Sequence, residues 1–264
     1  MKETRSLLNS LVVCGVALAM VSTLAAQTAS QASAKVVRLK GGARYVAGPN
    51  NGQLLKVGDV VKPGSVIQTA ANSSVDLVLG DGSAPMVRPV RINRLYLNSP
   101  LNAISYLPSA EQNSVRILEN TLLGIDKLTE TQTGADVVTE TQLDLKAGRI
   151  LGVVKKMSAA SKYEVKIPSG VAGIRGTVYD ISAEGVVRVS SGSVVLAYVG
   201  PDGVVVTQVI MGGQQFDART GVLTTLPEVD RTQMDLDANQ AGAGSASTVR
   251  SVEGDMTLIY ISPH

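Results

Sequence analysis

From Val36 onward the chain is a succession of short apolar runs, each cut off by Gly, Asn, Asp or Pro. Val36–Leu39, Val66–Thr69, Val75–Leu79, Ile150–Val154, Tyr163–Ile167, Val194–Val199 and Val204–Ile210 are the clearest. β-Branched residues dominate them, and in Val75-Asp76-Leu77-Val78-Leu79 the apolar residues Val75, Leu77 and Leu79 share one face. Turn chemistry follows the runs: Gly80-Asp81-Gly82, Ala183-Glu184-Gly185, Ser191-Gly192, Pro201-Asp202-Gly203 and Met211-Gly212-Gly213 each supply a glycine where the chain reverses. No stretch shows the period of a long amphipathic helix. The nearest candidate, Ser114–Glu130, contains Thr121, Gly124 and β-branched residues and reads as two strands. The expectation is an all-β domain of many short strands, either β-solenoid-like or a twisted β-sandwich. A strand–corner–strand plan at Val66–Gly82 returns at Val165–Gly185, as stacked solenoid rungs would.

Composition narrows the chemistry. Among 264 residues there is no Trp, one Phe (Phe216), one Cys (Cys14) and one His (His264, the last residue). A disulfide framework, a His/Cys metal or haem site and a Cys–His nucleophile pair are thereby excluded. A Ser-His-Asp triad would have to recruit a terminal histidine. The expected protein is not an enzyme, and it needs no cofactor and no metal. A formal net charge of +2 with no long basic run leaves no electrostatic footprint for nucleic acid.

Residues 1–34 read as a signal peptide: Lys2 and Arg5, then the apolar run Leu11–Val21, then small residues. Ala32-Ser33-Ala34 matches an A-x-A cleavage site and Thr23-Leu24-Ala25 offers a second, so the mature chain is expected to begin near Lys35 or Ala26. Residues 35–226 form the β domain. Residues 84–112, with Pro85, Pro89, Pro100 and Pro108, read as an insertion or loop-rich edge. Residues 227–264 read as linker and tail, ending in an apolar run, Met256–Ile261, able to dock as an edge strand.

Candidate sites are few. Gly170-Val171-Ala172-Gly173-Ile174-Arg175-Gly176-Thr177 is the most distinctive octet, yet it fits neither a P-loop nor G-x-G-x-x-G. It reads as a tight structural corner, with Gly173 and Gly176 permitting the path and Arg175 satisfying buried acceptors. Asp81 between Gly80 and Gly82 is explained by a hairpin turn more simply than by cation binding. Asp235-Leu236-Asp237-Ala238-Asn239 starts like a calcium loop, but Gln240 and Ala246 stand where Gly and the bidentate Glu belong, so a solvated linker is expected.

Two stretches together resemble the FecR domain, named after a periplasmic regulator of iron-dicitrate transport. One is Val57-Gly58-Asp59 through Gly64-Ser65-Val66-Ile67-Gln68-Thr69 to Gly80-Asp81-Gly82; the other runs from Val165 through Ala172-Gly173-Ile174-Arg175-Gly176-Thr177 to Gly192-Ser193-Val194. Leu145-Lys146-Ala147-Gly148-Arg149-Ile150 between them is similar to a third family strand, and the resemblance spans Val57 to Phe216. It implies a FecR-type all-β module outside the cytoplasm, periplasmic or secreted. The expected role is an exported, non-enzymatic binding or scaffolding module of the cell envelope, holding an envelope protein or a wall polymer. Membrane contact is expected at most through the leader. The alternative is a periplasmic sensor or regulatory component of transmembrane signalling.

Overall fold

The computed structural model describes residues 29–48, 52–80, 113–133, 136–200 and 202–243. In chain order the strands are β1 (Ser30–Gln31), β2 (Ser33–Lys40), β3 (Ala43–Ala47), β4 (Gln53–Leu54), β5 (Val60–Val61) and β6 (Ser65–Thr69). Next come β7 (Ser74–Gly80), β8 (Asn113–Ile117), β9 (Leu122–Thr133), β10 (Asp136–Ala147), β11 (Arg149–Val153) and β12 (Lys162–Ile167). The long β13 (Gly170–Ser182) and β14 (Val186–Val199) precede β15 (Val205–Met211), β16 (Gln214–Asp217) and β17 (Val222–Thr225). One helix, α1 (Glu228–Ala243), follows.

The strands form one curled sheet folded into two facing layers. The first layer runs β2–β7–β8–β11, continues through the C-terminal half of β13 and the N-terminal half of β14, and ends at β16–β17. The second runs β4–β3–β6–β9–β10–β12, continues through the remaining halves of β13 and β14, and ends at β15. The chain passes between layers at corners such as Gly41–Gly42, Ala70–Ser73, Leu118–Thr121 and Gly148. Thr69 and Thr121 stitch these corners through their hydroxyls: Thr69 Oγ1 bonds the Leu118 carbonyl and accepts the Thr121 N–H at 3.0 Å, while Thr121 Oγ1 accepts the Arg149 N–H at 3.0 Å.

All-β architecture is what the sequence predicts. Pairing is antiparallel almost throughout, with β10–β12 the parallel pair among the described strands. Solenoid rungs stack in parallel, so of the two expected architectures the sandwich-like one is closer. The Ser114–Glu130 stretch is indeed two strands, β8 and β9. Between the layers Leu77, Val115, Ile150, Ile181 and Val189 meet Ile67, Leu123, Leu143, Val165 and Leu196 in one continuous core. Aromatic contacts cross it: the buried Tyr163 and Tyr179 hydroxyls bond at 2.9 Å, and Tyr198 packs edge-on to Phe216 at 5.2 Å. Burial pushes both core tyrosine hydroxyls well above their ordinary range.

Three expectations need correction. Residues 29–34 belong to the fold: β1 pairs with β9 of the second layer, the chain crosses to the first layer between β1 and β2, and Ala32 and Ala34 are buried in the core. The linker expected after Pro227 is instead α1, sixteen residues of helix with Glu228 and Asp230 in its first turn, where they favour the dipole. Finally, Ser191-Gly192 and the octet are bends inside β14 and β13 rather than reversals between strands. Asp81, Gly82, the 84–112 stretch, the leader residues 1–28 and Met256–Ile261 lie outside the described residues.

Candidate interaction surface

The octet builds the sharpest bend. Gly173 faces outward with room above it, and Ile174 is buried in the core. Gly176 takes φ +61, the left-handed conformation glycine tolerates best. Thr177, fully buried, holds the bend: its hydroxyl bonds the Arg175 and Ser193 carbonyls at 3.0 and 2.8 Å and accepts the Ser193 N–H at 3.2 Å. Arg175 differs from expectation. Its guanidinium is exposed and donates to the exposed carbonyls of Ala159 (2.6 Å) and Ser158 (3.3 Å), so it ties down a loop rather than satisfying buried acceptors. Gly80 ends β7.

On the outer face of the first layer, one transverse row carries a ladder of charges that sequence reasoning missed. Register aligns Arg38, Asp76, Arg116, Leu151, Asp180, Arg188 and Gln215 across seven strands. Asp76, 1% exposed, receives a bidentate guanidinium from Arg116 at 2.7 and 3.0 Å. The third Arg116 contact reaches Asp237 on α1 at 2.9 Å, and hydrogen bonding to Asp76 raises the Arg116 pKa further. Asp180 is buried between Arg149 at 3.2 Å and Arg188 at 3.5 Å. Burial raises its pKa, and the two arginines only partly offset this. Met234 and Ala238 of α1 cover Leu151 and Leu226, and Ser190 donates to Asp235. Asp235 and Asp237, expected in a solvated linker, are instead helix partners of the sheet. The space beneath α1 is ≈150 Å³, and beside the helix the same face opens into a cleft of ≈640 Å³ lined by Arg38, Arg116, Arg149, Asp237 and Gln240.

Among the described residues the far end of the sandwich is open. Ten of the seventeen exposed large hydrophobics among the described residues gather there, including Val195, Val199, Val205, Val209, Met211 and Leu223. β15 pairs with β14 on one side, and no described strand pairs with its other side. Its sequence, Val205-Val206-Thr207-Gln208-Val209-Ile210-Met211, contains no charge and no proline. β17, the end strand of the other layer, is likewise exposed and uncharged. The opposite end is blunted in the usual ways: β4 and β5 are two residues long and Lys35, Arg44, Lys56 and Lys62 flank them. No candidate cluster of three metal-ligating side chains occurs among the described residues. No described helix is long and apolar enough to cross a membrane.

Comparison with known proteins gives the following. Residues 106–195 match the family described as FecR protein. Two crystal structures of a "putative anti-sigma factor" from Parabacteroides distasonis ATCC 8503 are similar at 14% and 13% identity, with TM-scores of 0.32 and 0.31. Each alignment covers 45% of this chain and 52% of the other, so the chain spans about half the length of the solved structures it matches. No curated protein matches it. The matched stretch contains β8 through most of β14, hence the Gly176 and Gly192 bends and the Tyr163–Tyr179 contact. Over that stretch, about a third of its length, the chain is similar to the FecR family.

Proposed function

We propose that the protein is an exported, non-enzymatic binding module of the cell envelope, and that it takes protein partners at the open end of its sandwich. The observation that supports this reading is β15: a seven-residue, uncharged strand whose outer edge no described strand pairs, beside exposed valines. Natural proteins shorten, charge or cover such edges unless something pairs with them. Strand addition supplies main-chain hydrogen bonds for affinity, while Val195, Val199 and Val209 supply apolar contacts for selectivity. The leader-like residues 1–28 support export. The test is crosslinking in intact cells with identification of the captured protein. Val209→Lys is expected to abolish capture while leaving the melting temperature unchanged; capture that survives the substitution places the binding surface elsewhere.

The similarity to the FecR family favours a second reading, a periplasmic sensor or regulatory component of transmembrane signalling. A captured membrane-spanning signalling protein supports it. A captured wall polymer or structural envelope protein supports scaffolding.

A further inference from the structure

We infer that the open edge of β15 pairs with β15 of a second copy of this chain, antiparallel about a two-fold axis at Gln208. The inference deepens the binding reading above by naming an occupant for the same edge. The edge's geometry follows from its neighbours. Gly200 N–H bonds the Val204 carbonyl and Gly212 N–H bonds the Gly192 carbonyl, so the even-numbered residues of β15 direct their main-chain groups to β14. Val205, Thr207, Val209 and Met211 therefore direct theirs outward. Two of those outward groups are occupied by side chains alone: the Val209 carbonyl accepts from Gln208 Nε2 at 2.7 Å, and the Met211 N–H donates to Gln214 Oε1 at 2.8 Å. Such glutamine contacts are readily exchanged for a strand.

Pairing over the whole of Val205–Met211 fixes the register, because only a dyad at the central residue overlaps all seven positions. Thr207 and Val209 of the partner subunit then exchange main-chain hydrogen bonds with Val209 and Thr207. Val205 meets Met211 of the partner subunit, and Val206 meets the partner's Ile210. Every facing pair is uncharged, so no repulsion or unpaired charge opposes the contact. Gln208 meets itself across the dyad at a non-hydrogen-bonded position, where side chains lie closest and two amides satisfy each other. The exposed faces of Val205, Val209 and Met211 become one continuous strip with their mates. A seven-residue strand pair falls short of the roughly 1,200 Å² of a stable interface, so the dimer is reversible and concentration-dependent.

The experiment uses the full chain carrying Cys14→Ser. Gln208→Cys is expected to give a disulfide-linked dimer on mild oxidation, because non-hydrogen-bonded cross-strand positions bring Cβ atoms within bridging range. Val206→Cys, displaced from the dyad, is expected to stay monomeric. In sedimentation, Val209→Lys is expected to weaken self-association at least about tenfold with an unchanged melting temperature. A chain that stays monomeric at every concentration, or a Gln208→Cys chain that does not crosslink, overturns the inference. So does a monomer whose Thr207 and Val209 amides resist hydrogen exchange, since its own residues then cover the edge. If self-association is absent while Val209→Lys still abolishes envelope capture, the edge takes a foreign strand and the binding reading stands alone. If the dimer forms while no envelope partner is captured, self-pairing stands and the binding reading falls.

Discussion

Gly176 and Gly192 sit together where β13 and β14 bend, and they differ in how much room a side chain would find. Both have positive φ, +61 and +84. A Cβ on Gly176 would lie 3.7 Å from its nearest neighbour, whereas one on Gly192 would meet the Gly176 carbonyl oxygen at 2.3 Å. Gly176→Ala is therefore expected to cost about 1–2 kcal/mol, for backbone conformation alone. Gly192→Ala should cost about 3 kcal/mol or more, since backbone must also move. Urea unfolding of both variants checks the order. Arg175→Ala, by contrast, should cost less than about 1 kcal/mol, because water replaces it at exposed carbonyls. Asp180 gives a pH signature. Its carboxyl is raised in the folded state, so the native state binds the proton first as pH falls. The stability this contributes is fully present below the unfolded pKa and lost as pH rises through the folded one. Relative to Asp180→Asn, the natural protein should gain stability as pH drops from 7 toward about 4. Urea midpoints for both chains across that range test the sign.

The charge ladder under α1 sets what each element contributes. Arg116→Ala would strip the buried Asp76 of its bidentate partner, leaving only Arg38 at 3.7 Å. A loss of about 3–5 kcal/mol is expected. Asp237→Ala removes only the half-exposed third contact and should cost about 1 kcal/mol. Equilibrium unfolding of the two variants distinguishes these magnitudes. The strands were legible because a half-buried sheet imposes alternation, as Val75, Leu77 and Leu79 show. The ladder was not, because alternation says which residues face outward but not which outward residues align across seven strands. α1 escaped for a different reason. Its contact face rests on Met234, Ala238 and Ala241, too few apolar residues to give a period, and polar bonds through Asp235 and Asp237 do much of the docking. The signals present were Pro227, whose carbonyl accepts the Arg231 N–H, and the acids just after it. Of the candidate octet, the bend was readable from its glycines; the exposure of Arg175 depends on where the 158–159 loop lies, which local sequence does not encode.

For the whole molecule, the placement of Ser30–Ala34 bears on how the chain begins. Cleavage after Ala34 would remove β1 and two residues of β2, with the buried Ala32 and Ala34. N-terminal sequencing of cell-derived protein is therefore expected to find a start at Ala26 rather than Lys35. A chain starting at Lys35 should melt several degrees lower, each kcal/mol lost being worth about 2–4 °C at this size. The Asp76–Arg116–Asp237 contacts have a temporal consequence too. The Arg116–Asp237 bond joins residues 121 apart in sequence, the later one on the helix that follows every described strand. A chain made from its N-terminus assembles β2, β7 and β8 long before α1 exists, and until then Arg116 faces water on the side that Asp237 later covers. The helix follows every described strand, so a chain that has reached the strands but not residues 228–243 holds Arg116 without Asp237, and its first layer stays looser until the helix docks.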